Sequence, residues 1–192
     1  MRMTDLRPWL LLLACLAAPV EAARACADDS RPLLELRVTS DRGEGFDRVH
    51  RIRVSVDGCV SVRRPPFHRA PGEFIARLDE AGLAGLRARA ADPVLRAIDP
   101  VQALDEARAA MEAHALAEGA LMRTHVSHPT GYVLRLWQDD EVVEIKAESI
   151  FQQVELHPRS AELERLAEAI REVLALDALP ELTPADSTGA SR

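Results

Sequence analysis

The chain has no asparagine, a single lysine (Lys146) among its 24 Lys and Arg residues, and only 4% aromatic residues. So few rings for base stacking, with a formal net charge of -7, argue against a nucleic-acid partner. The arginine bias is that of a GC-rich bacterial genome, so any single arginine is weak evidence of a chosen ligand. A phosphate-cradling loop is missing as well: Gly43-x-Gly45 is followed by Arg48 where a nucleotide-binding turn needs its third glycine. No Gly-x-Ser-x-Gly elbow surrounds Ser127, and the paired acids Asp28-Asp29 and Asp139-Asp140 sit at a terminus and a turn tip. No catalytic constellation stands out, and no cofactor is expected.

Long apolar runs are also scarce. The longest, Trp9 to Ala18, is about half the roughly 20 residues a membrane span needs. It follows Arg2 and Arg7 and precedes the small residues around Ala22, the three parts of a cleavable secretory signal. Residues 1–22 are therefore expected to be removed, leaving a periplasmic or secreted protein. Leu12-Leu13-Ala14-Cys15 loosely matches a lipoprotein cleavage box, so a lipid anchor on Cys15 is the alternative. After cleavage only Cys26 and Cys59 remain, and in an oxidising compartment two such cysteines are expected to form a disulfide.

Alternation gives the strands. Leu34, Leu36 and Val38 alternate with Glu35, Arg37 and Thr39 ahead of a loop at 41–45. Asp57-Gly58 marks a hairpin whose three-residue loop sets Val54 opposite Val60 and Ile52 opposite Val62. Arg51 and Arg53 then meet Arg63 and Ser61 on the other face. A second hairpin turns at Asp139-Asp140. It pairs Leu136 with Val143, Leu134 with Ile145 and Tyr132 with Ala147 inward, and Trp137 with Val142 and Arg135 with Glu144 outward. Phe74 to Leu78 reads as a short strand or a first helical turn.

Capping signals give the helices. Asp79 caps a first helix with Leu83, Leu86 and Ala90 on its stripe. Asp99-Pro100-Val101-Gln102 starts a second, to Glu118, with Gln102 as capping-box partner and a thin face of Val101, Leu104, Ala107 and Met111. A third starts at Ser160 and carries Leu163, Leu166, Ile170 and Val173. The composition after Pro180 predicts a disordered tail over 180–192. The expectation is one α+β domain over 23–179: an antiparallel sheet of two hairpins with about three helices packed on one face.

Three surface features are candidates for function. Arg51, Arg53 and Arg63 share one sheet face in a stretch, 31–70, that carries nine Arg against five acids. Such a face suits an acidic protein or an anionic envelope polymer. Trp137 beside Val142 is a candidate anchor. His114, His125 and His128 supply three imidazoles that a metal ion could use. The layout resembles small bacterial secreted modules and, more remotely, the emfourin-type inhibitors of thermolysin-like proteases. The similar stretches are Arg51-Ile-Arg-Val-Ser-Val-Asp-Gly58, Leu78 to Leu86, the Tyr132 to Lys146 hairpin and the last helix. That resemblance implies a protease inhibitor and assigns no site residue. The leading expectation is a non-catalytic envelope binding module, with the inhibitor and a His-cluster metal enzyme as alternatives.

Overall fold

The computed structural model describes Cys26 and residues 30–40, 49–117 and 129–185. The expected signal with Cys15, the loop from Asp41, His125 and His128, and residues 186–192 lie outside that set.

Seven strands form one antiparallel sheet: β1 (Pro32–Ser40), β2 (His50–Ser55), β3 (Cys59–Arg64), β4 (Gly72–Arg77), β5 (Thr130–Gln138), β6 (Glu141–Glu148) and the two-residue β7 (Thr183–Pro184). Their order across the sheet is β6-β5-β1-β2-β3-β4-β7. Both expected hairpins have the predicted register, Val54 with Val60 and Leu134 with Ile145 among the pairs. Gly58 closes the first turn with φ 84°, a conformation natural only to glycine, and Asp139 opens the second at φ 52°.

The sheet is larger than two hairpins because β1 joins them. Leu36 pairs with Ile52 on one side and with Leu134 on the other. The ambiguous stretch at Phe74 is a strand, since β3 would otherwise be an exposed edge. Thr183 then pairs with Ile75, so the first residues of the expected tail run along the sheet.

Five helices occur among the described residues: α1 (Glu80–Ala90), α2 (Pro93–Arg96), α3 (Pro100–Ala117), α4 (Ile150–Leu156) and α5 (Ala161–Ala175), with a 3₁₀ turn at Leu176–Ala178. The two unpredicted helices, α2 and α4, have four and seven residues, too few to show a 3.6-residue period. Asp79 Oδ1 accepts from the Gly82 N–H at 2.8 Å, and Ser160 Oγ from the Leu163 N–H at 3.4 Å, the expected caps of α1 and α5. Asp99 Oδ1 accepts from the Val101 and Gln102 N–H groups, but the Gln102 side chain reaches Glu106 instead of closing a capping box. Val101 is 67% exposed and not on the apolar face.

The inner face of the sheet, including Leu34, Leu36, Ile52, Val54, Val60, Val62, Leu134 and Leu136, forms one apolar cluster with α1, α2 and α5. Burial of these side chains is the main stabilising term of the fold.

Candidate functional site

The outer face shows what the registers bring together. Arg37 of β1 opposes Arg51 of β2, and Arg51 opposes Arg63 of β3, so three arginines stand side by side on adjacent strands. The row ends at Val133 on one side and Glu73 on the other. Opposed residues have Cβ atoms about 4.5–5.5 Å apart, where like charges destabilise a sheet. A cavity of about 30 Å³ opens between Arg37, Val49, Arg51 and Arg63, room for about one water-sized oxygen.

One carboxylate is built into this face. Glu35 is only 7% exposed, accepts from Arg37 Nε at 2.6 Å and lies 3.6 Å from Arg135. It fixes Arg37 from behind the row. Beyond it, Glu144 is shared by two cations, Arg135 at 2.6 Å and Lys146 at 2.9 Å, and the hydrogen bonds from Lys146 and Arg135 lower the Glu144 pKa. Within the row, Arg37 is ion-paired with Glu35 and Arg63 stands opposite Glu73.

All three predicted arginines lie on this face: Arg51 and Arg63 in the row, and Arg53 two residues along β2, opposite Ser61 and Glu35. Arg53 Nη2 donates to the Ser30 carbonyl at 3.0 Å, held by the N-terminal arm. That arm is tied down where Cys26 and Cys59 pair at disulfide distance, Cα atoms 5.5 Å apart. Arg37 joins the three arginines. Alternation marked it as outward, but only the β1–β2 pairing, which no turn chemistry announces, brings it beside Arg51. Trp137 is half-buried on the same face, opposite Val142, which is 50% exposed.

The basic residues near this patch in sequence turn the other way. Arg64 donates to Asp177 Oδ1 at 2.7 Å and to the Asp177 carbonyl at 2.8 Å, with its guanidinium 4.2 Å from the centre of the Phe74 ring. His50 and His68 approach Asp177 Oδ2 at 3.5 and 4.0 Å. Burial lowers the His50 pKa, with His68 and Arg64 adding to the effect and Asp177 opposing it. This cluster fastens the 3₁₀ turn to the end of the sheet.

Of the candidate metal ligands, His114 is exposed near the end of α3, and His125 and His128 lie outside the described residues. Among the described residues no group of three His, Cys, Asp or Glu is placed to hold a metal ion, and no helix is long and apolar enough to cross a membrane. No protein-family model matches the chain, and no curated protein matches it significantly.

Proposed function

We propose that the protein is an exported, non-catalytic binding module that engages an acidic partner through the outer face of its sheet. The observation that supports this reading most is the Arg37–Arg51–Arg63 row. Each guanidinium carries five N–H donors, more than the neighbouring carboxylates Glu35 and Glu73 can take up, and a carboxylate-rich surface laid across the three strands would form charge-assisted hydrogen bonds with them. The Glu35 carboxylate suits the same purpose, since it holds the Arg37 guanidinium in one orientation. The signal-like N-terminus and the paired cysteines support a partner met outside the cytoplasm.

Binding to poly-glutamate, followed by interferometry at low and physiological salt, tests the reading. Arg51→Glu should weaken binding about tenfold or more, the worth of hydrogen bonds to a charged group. Arg171→Glu on α5 changes the net charge equally and should leave binding near its original strength. Equal losses in both variants would reduce the effect to net charge and sink the proposal.

A further inference from the structure

A groove of about 510 Å³ runs between α3 and the α4–α5 turn, away from the cationic row. Its volume lies in the range of small-molecule sites, about 300–1,000 Å³. The sequence explains why it is open. The face that α3 turns toward α5 carries Ala103, Ala107 and Ala110, side chains too small to fill the space, followed by Met111. Leu156 and Pro158 line the opposite wall.

One polar residue of the groove stands out. His157 is 5% exposed, and neither ring nitrogen has a hydrogen-bond partner. Its backbone is fixed in the turn: the His157 N–H donates to the Gln153 carbonyl at 2.8 Å, and the His157 carbonyl accepts from Ser160 N–H at 3.1 Å. Buried polar groups are nearly always paired, so a histidine left with both nitrogens unmatched between the alanine face of α3 and Leu156 and Pro158 marks a place where a ligand supplies the partner. Burial, with Arg108 on α3 adding to it, keeps the imidazole neutral, and a neutral imidazole offers one donor and one acceptor. The charged groups around the groove balance, Glu106 and Glu162 against Arg159 and Arg108, and so call for no ionic head.

From this geometry we infer that the α3–α5 groove binds a small neutral amphiphile, an apolar chain whose hydroxyl group hydrogen-bonds to His157. The inference does not depend on the outer face. Three probes test it on the disulfide-bonded protein: decanol, decyl methyl ether and decanoate. Decanol should bind saturably and shift the ¹⁵N resonances of the His157 ring. Ala110→Phe, an exposed position at the groove, and Ala107→Trp should abolish that binding with circular dichroism unchanged. His157→Phe should still take up both neutral probes but lose a preference for decanol over the ether of up to about tenfold, the worth of one neutral hydrogen bond. The inference fails if decanol does not saturate, if Ala110→Phe binds it undiminished, or if decanoate binds more tightly. Self-association that Ala107→Trp removes, without decanol binding, would assign the groove to a second copy of the chain and equally overturn it.

Discussion

Helices α3 and α5 lie against each other, yet they do opposite work. The 15 residues of α5 bury Leu163, Leu166, Ala167, Ala169, Ile170 and Val173 in a continuous stripe against the core. The 18 residues of α3 bury only Ala103 and Ala115, and leave Val101 and Leu116 exposed at 67% and 80%. Length does not decide which helix holds the fold; the bulk of the inward side chains does. A helix with an alanine face is held by its caps and neighbours more than by its own burial, and it leaves room that a leucine face would have filled.

The sharpest test of that contrast is Leu166→Ala. The side chain is fully buried on α5, and its loss should cost about 2–5 kcal/mol in urea unfolding followed by far-ultraviolet circular dichroism. Asp99→Ala, which removes both capping bonds at the start of α3, should cost about 0.5–2 kcal/mol. Its effect should be local, with faster amide exchange over residues 103–110 and no change in α5; equal acceleration in both helices would show that they unfold as one unit. Val101→Ala, at the exposed start of α3, should stay within about 0.5 kcal/mol in the same urea assay.

Acid acts on the joint between the two helices. His157 has a lowered pKa in the folded protein, so below about pH 6.5 the unfolded chain takes up a proton that the folded chain resists. Its contribution is present above that pH and is lost as the solution is acidified through the folded pKa. His50 titrates in the same sense. Urea midpoints measured from neutral pH downward should therefore fall, and His157→Phe should flatten the slope. An unchanged slope in that variant would remove His157 from the account.

What was legible in the sequence was local. Gly58 and Asp139-Asp140 announced their turns, alternation fixed which residues faced inward, and Asp79 and Ser160 marked their helices. The position of β1 between the hairpins was not legible, because strand order depends on packing partners distant in the chain. The cationic row inherits that limit: Arg51 and Arg63 were visible from one hairpin, Arg37 only once β1 was placed. Arg53 shares the outer face with Arg51, as alternation implied, but its hydrogen bond to the Ser30 carbonyl was not legible, because a backbone partner carries no side-chain signal. The groove was out of reach for the same reason, since it exists only where the alanine face of α3 meets the turn at His157.

The central position of β1 also has a consequence in time. This strand pairs with β2 close by in sequence, but its other edge waits for β5, about a hundred residues later. A chain emerging N-terminus first presents the middle of its sheet long before the flank that encloses it. Until then, Leu34 and Leu36 belong to a strand with an open edge, the arrangement most prone to pairing with a wrong neighbour. The inner strand is therefore safe only once the second half of the chain has arrived.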